Sequence, residues 1–231
     1  MIPDQYVWFA WASLFLVPWL LFYVAFPAHR RAIWWTSVFT MPFGLTEPLF
    51  VPEYWSPPSL FDLALTTGFD IESLIFCFGL GGVGAVLYNV ATRSIPTRTP
   101  QGERRSRRHR YHTLALATPV VLFLWLYFLP WNPIYPAIIA MAGGAIATFL
   151  CRPDLMKKTW IGGLLFLLYY SILLTGLEWS APGFIERTWN LSALSGVFVF
   201  HWPLEELLFA LSFGFYWSGV YEHVTWMATP R

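Results

Sequence analysis

Charge is scarce in this 231-residue chain: Asp, Glu, Lys and Arg supply 12% of it, against 57% hydrophobic residues. That balance excludes an ordinary soluble domain, and the 20% aromatic content excludes a disordered one. Cysteine is almost absent. Cys77 and Cys151 both fall inside apolar runs, where they read as small buried hydrophobes. The five histidines, His29, His109, His112, His201 and His223, are scattered and show no metal-ligand spacing. No lysine follows Lys158, which excludes a retinal Schiff base in the last apolar run. No basic region precedes residues 5–26 and no small-residue cleavage site follows them, so they read as a permanent span and not as a signal peptide.

What the chain does contain is long apolar runs. Seven approach the roughly 20 helical residues that cross a bilayer: 5–26, 31–51, 71–91, 113–130, 134–151, 158–178 and 203–222. They predict an all-α integral membrane protein. With seven spans, Arg30, Arg31, Arg93, Arg98, Arg104, Arg105, Arg107, Arg108, Arg110, Arg152, Lys157, Lys158 and Arg231 share one side, and only Arg187 takes the other. The positive-inside rule then places the N-terminus outside and the C-terminus in the cytoplasm. The basic run RRSRRHRYH reads as a cytoplasmic loop that touches anionic lipid headgroups; no recognition fold accompanies it to support nucleic-acid binding.

The chain also carries a repeat. When residues 53–89 are laid over 187–223, Trp55 meets Trp189, and after one gap Glu72 meets Glu205, Phe76 meets Phe209 and Tyr88 meets Tyr221. Upstream, Glu47 matches Glu178. The expected organisation is therefore two parallel three-helix repeats, 1–92 and 131–231, joined by a basic loop and linker span over 93–130. Glu47, Glu72, Glu178, Glu205 and Glu206 then lie at similar depth near the outer face. Ionisable residues at membrane depth are candidates for function. Capping is the competing account. Pro203 suits a first helical position, acids suit a first turn, and Asp70 suits the N-cap of a helix that begins at Ile71.

Two motifs mislead. GLGGVG, with Gly79, Gly81 and Gly84, fits a dinucleotide fingerprint but sits within a membrane span, where glycines serve close helix approach. EELLFA begins like the Glu-Glu-x-x-x-Arg motif of intramembrane metal-dependent proteases, but Ala210 stands where the arginine belongs.

PLEELLF, at 203–209, and the weaker FDIESLIF, at 69–76, each follow a tryptophan by some 14–17 residues. This tandem pattern resembles the lycopene cyclase domain family, the small membrane-integral carotenoid cyclases, over about residues 5–223. Asp70 replaces the motif's proline and Ser73 its second acid in the first half. The resemblance implies redox-neutral cyclisation of a linear polyene end group. An acid protonates the terminal double bond, an internal double bond attacks the cation, and a base removes a proton. No cofactor is implied. Either Glu205 or Glu206 is expected as the acid and Glu72 as its partner or base, with Glu47 and Glu178 tuning or orienting them. Trp202, Trp55, Trp189, Phe76, Phe209 and Tyr216 are candidates to face the cation, Trp202 above all, with Asp70 also at the substrate. The expected partners are lycopene or a related linear carotenoid and membrane lipids, with room for a homo-oligomer or a biosynthetic partner. A transporter with parallel three-plus-one-plus-three repeats is the rival class, although polar residues such as Ser73, Asn89, Ser171 and Ser212 are few in the core. A cyclase or binder for another isoprenoid also stays open.

Overall fold

The computed structural model describes residues 2–229; Arg231, counted above among the basic residues, and the Arg108 side chain lie outside that description. The chain is nearly all-α. Its helices are α1 (Asp4–Leu14), α2 (Leu16–Ala25), α3 (Arg30–Thr40), α4 (Leu63–Thr67), α5 (Ile71–Thr92), α6 (Gln101–Arg104), α7 (His112–Tyr127), α8 (Ile134–Cys151), α9 (Met156–Ser180), α10 (Phe184–Thr188) and α11 (Leu204–Thr225). Two antiparallel strand pairs are each two residues long: β1 (Thr97–Arg98) with β4 (Met227–Ala228), and β2 (Phe198–Val199) with β3 (Trp202–Pro203).

Helix therefore forms at every predicted apolar run, but not every run forms a single long apolar helix. Among the described residues, four stretches are long and apolar enough to span a membrane: Asp4–Ala25, Ile71–Thr92, Ile134–Cys151 and Pro153–Ser180. The other three fall short for separate reasons. The run 31–51 is helical only to Thr40 and continues as a 3₁₀ segment, Met41–Leu49, because Pro42 and Pro48 supply no backbone N–H. Helix α7 has 16 residues. Helix α11 is long enough, but Glu205, Glu206, Glu222 and His223 reduce its apolarity. Proline also explains the break between α1 and α2, since Pro18 has no N–H to offer the Leu14 carbonyl. Left-handed residues stop other helices: Gly68 (φ 77°) after α4, Arg93 (φ 52°) after α5 and Trp226 (φ 58°) after α11.

The fold comprises two compact units. The first contains residues through Val83, Asn132–Ile134 and Leu168–Leu207; the second contains Gly84–Trp131, Tyr135–Leu167 and residues from Leu208 on. Trp8, Trp11, Phe15, Ile33, Leu174, Leu177 and Phe184 form the core of the first unit. Val86, Leu155, Phe166, Phe213 and Trp217 do so in the second.

Close backbone approach in the first unit depends on small residues. Gly79, part of the fingerprint-like GLGGVG, lies inside α5, and a Cβ there would sit 2.8 Å from the Phe15 Cβ. It is a packing glycine, as the membrane context predicts. Gly44 is tighter still: a Cβ would lie 2.7 Å from the backbone of Ser73 and Leu74. Backbone cannot rotate aside as a side chain can. Gly44→Ala should therefore lose about 1–3 kcal/mol by overpacking, read as a lowered thermal midpoint of the detergent-purified protein.

Candidate functional site

The first unit gathers acids at the starts of two helices. Asp70 caps α5, its Oδ1 accepting the Ser73 N–H at 2.5 Å while Oδ2 accepts the Trp8 indole N–H at 3.2 Å. The capping expectation for Asp70 thus holds. Glu72 follows in the first turn of α5, fully buried, with Oε1 accepting the Leu60 N–H at 2.7 Å. Its Oε2 is buried with no hydrogen-bond partner. Glu205 occupies the matching first turn of α11, where its Oε1 accepts the Ser195 N–H at 2.8 Å. In each half, then, the second helical residue is a glutamate that accepts a backbone N–H from 10 to 12 residues upstream. These acids are not wet caps: Glu205 is 1% and Glu206 3% exposed.

Glu206 has the densest surroundings. The Tyr54 hydroxyl and the Trp189 indole N–H (2.8 Å) donate to its Oε1, and the Tyr170 hydroxyl donates to Oε2 at 2.7 Å. These donors come from three separate stretches of chain. Two of them are aligned by backbone: the Ser56 N–H donates to the Thr188 carbonyl (2.8 Å) and the Asn190 N–H to the Tyr54 carbonyl (2.9 Å), around the paired residues Trp55 and Trp189. The two bonds exchange when Trp55 is placed on Trp189, the same pairing that the repeat alignment makes. Tyr54 lies in a loop outside the apolar runs. Burial, with the Glu206 carboxylate beside it, pushes its phenol well above the usual tyrosine range.

Aromatic rings extend from this carboxyl. Trp189 lies 5.2 Å from Trp55, and Trp55 lies 4.7 Å edge-on to Trp8. Trp8 and Trp11 both touch Phe76, at 5.4 and 5.7 Å, and Phe15 meets it at 4.9 Å. Trp11 also lies 5.9 Å from Tyr170, which closes the group around the Glu206 donors.

The structure brings together part of the predicted set. Trp55, Trp189, Phe76, Asp70, Glu72, Glu205 and Glu206 all belong to this unit, as does Glu47, whose Oε2 accepts the Ser73 hydroxyl at 3.0 Å. Glu178 does something different from its repeat partner: its Oε1 accepts the Gly183 N–H at 2.9 Å, so it closes the turn after α9. Trp202 is half-buried in the β2–β3 hairpin against Phe200, 5.8 Å away. Phe209 and Tyr216 belong to the second unit, where they lie against Phe213 and Trp217.

Tyr54, Tyr170, Trp8, Trp11 and Phe15 were not predicted. One signal was present, since Trp8, Trp11 and Phe15 recur at i, i+3 and i+7 and therefore share a helix face.

The second unit also departs from expectation. Arg152 and Lys158, counted as loop cations, are 1% and 0% exposed. Lys158 Nζ pairs with Glu222 Oε1 at 2.5 Å, and the Asn89 amide donates to the same oxygen at 2.9 Å. The histidines are less scattered than the sequence implies, because His109 and His112 meet Cys151. Among the described residues the ion pairs are Lys158–Glu222, Arg152–Asp154 and Arg187–Asp4, none of which includes Glu47, Asp70, Glu72 or Glu206.

Comparison with known families adds one finding. Residues 132–224 match the family model described as lycopene cyclase, the family that the motifs resemble. The match covers Tyr170, Glu178, Trp189, Trp202, Glu205 and Glu206, and stops short of the first-half acids. No curated protein and no solved structure matches the chain.

The Tyr54 environment predicts an alkaline response. A phenol whose folded-state value is raised stabilises the fold fully below the unfolded tyrosine value, and that contribution is lost as pH climbs from there toward the folded value. Thermal stability should therefore fall above about pH 10, and Tyr54→Phe should show a shallower fall in the same melting series.

Proposed function

We propose that the chain is an intramembrane carotenoid cyclase that isomerises a linear polyene end group to a ring, as the family match over residues 132–224 supports. The observation that carries the mechanism is Glu206: a buried carboxyl group with three neutral donors, no cationic side chain among the described ion pairs, and aromatic rings around it. Indole N–H can only donate. Glu206 therefore fits an acceptor, the form that steadies a passing carbocation and takes up its proton. Glu72 fits the donor, because Oε1 is held by the Leu60 N–H while Oε2 is buried without a partner. The hydrogen-bond inventory thus supports exchanging the roles expected from sequence.

In the proposed reaction, the Glu72 carboxyl gives its proton to the terminal C=C. The internal C=C attacks the resulting cation, forming the ring C–C bond, and a C–H proton passes to Glu206. Atoms and electrons balance within the polyene, so the reaction is an isomerisation, and the proton moved from Glu72 to Glu206 must return before the next turnover. Trp8, Trp11, Trp55, Phe76 and Trp189 present π-faces that favour a cation over water. Ser73 and Glu47 orient the start of α5, while Glu205 fixes the entry to α11. The same apolar lining suits a polyene better than the polar solute of a transporter. A seven-span arrangement of two three-helix repeats, 1–92 and 131–231, with the N-terminus outside, completes this reading. Helices at all seven runs and the exchanged bonds around Trp55 and Trp189 support it.

Expression in a lycopene-accumulating host provides the test. The parent chain should yield a product of lycopene's mass with a shorter absorption maximum, resolved by chromatography with mass detection. Glu206→Gln and Glu72→Gln should each cut product by about 10²-fold or more, the scale of a lost general acid or base, with the protein still present in the membrane. Full cyclisation by Glu72→Gln, Glu205→Gln and Glu206→Gln alike would remove the acids from the mechanism.

A further inference from the structure

The second unit contains a cluster that the cyclisation reading does not use. The 3₁₀ turn Arg107–Tyr111 runs directly into α7 at His112. Side chains three apart eclipse in a 3₁₀ turn, so His109 and His112 emerge on one side. Cys151, the last residue of α8, meets them: its Sγ lies 3.5 Å from Nδ1 of His109 and 3.5 Å from Nδ1 of His112. All three ligand atoms fall within 4.8 Å of one another. For tetrahedral zinc, with Zn–N near 2.0–2.1 Å and Zn–S near 2.3 Å, the nitrogen–sulfur edge is about 3.5 Å. Both edges seen here have that length.

The surroundings fit the same reading. His223 is 1% exposed, its ring lies 4.6 Å edge-on to His112, and its Nδ1 is 3.2 Å from the Thr148 hydroxyl. Its Nε2 is buried without a hydrogen-bond partner. The neighbourhood thus holds a third imidazole whose Nε2 has no hydrogen-bond partner. Trp226 stacks on His112 at 4.1 Å and meets His109 at 5.0 Å. Arg152, the nearby cation, is already paired with Asp154 at 2.6 Å.

The geometry points to a site for one zinc-class transition-metal ion on His109, His112 and Cys151. One thiolate and two imidazoles select such an ion over magnesium or calcium, and binding releases the thiol proton to solvent. The ion would clip the basic segment before α7 to the end of α8. The same segment is already held elsewhere by the β1–β4 pairing and by the Thr99 N–H on the Trp226 carbonyl at 2.9 Å.

Cobalt(II) titrated into the full chain, purified in detergent and stripped of metal, provides the probe. One equivalent should develop a thiolate-to-cobalt charge-transfer band with tetrahedral d–d bands, and Zn²⁺ should displace it. Cys151→Ala should lose the charge-transfer band and Cys77→Ala should keep it. His109→Ala and His112→Ala should weaken affinity by more than the roughly 10–100-fold that losing an outer-shell partner costs. In the unmutated chain, where misfolding is not at issue, Zn²⁺ should shield Cys151 from a thiol-alkylating reagent, mapped by peptide mass. The site is overturned if the intact chain develops no stoichiometric band, if Cys151→Ala retains it, or if Zn²⁺ leaves alkylation of Cys151 unchanged.

Discussion

The exchange of backbone hydrogen bonds between residues 54–56 and 188–190 joins two loops that are distant in sequence, and the carboxyl site is arranged around it. It sets Trp55 against Trp189 and, with them, brings the Tyr54 hydroxyl and the Trp189 indole to one oxygen of Glu206. A carboxylate removed from water without partners costs several kcal/mol. Hydrogen bonds to a charged group return more than neutral ones do, and Glu206 receives three. The fold can thus bury this acid only while the two loops stay paired.

The second unit shows what the same chain does when a buried acid is simply to be neutralised. Glu222 receives Lys158 at 2.5 Å and the Asn89 amide at 2.9 Å. Glu206 receives only neutral donors, and Glu72 receives the Leu60 backbone N–H. That contrast accords with the roles proposed for Glu72 and Glu206. The two halves also differ within the repeat pairing. Ser73, which stands where Glu206 stands in the other half, spends its hydroxyl on Glu47, while Glu178 closes a turn.

Much of this was legible in the residues. Hydropathy located the longer helices, though not the short α4, α6 and α10, because apolar runs in a chain with so little charge have few alternatives, and Asp70 read as a cap because a short acid before Ile71 can reach the Ser73 N–H. Proline explains, after the fact, why the run 31–51 did not stay α-helical. The aromatic lining was far less readable. With one residue in five aromatic, type alone selects nothing, and the contacts to Glu206 join residues 17 to 152 positions apart. Trp202 adjoined the motif but turned into a hairpin with Phe200, whereas Tyr54 and Tyr170 carried no motif. The three residues around Cys151 were likewise hidden, because a pair three apart acquires a shared face only once the 3₁₀ turn before α7 is known.

The order in which the Glu206 partners leave the ribosome has its own significance. Tyr54, Tyr170 and Trp189 all precede Glu206 in the chain, as Leu60 precedes Glu72 and Ser195 precedes Glu205. When α11 is made, every donor that Glu206 will use already exists, and the acid that would be hardest to leave unsatisfied arrives last. A nascent chain that stops short of α11 holds the aromatic rings and the phenols but not the carboxyl group they surround. The hydrogen bonds to Glu206 can therefore close only after α11 has been made.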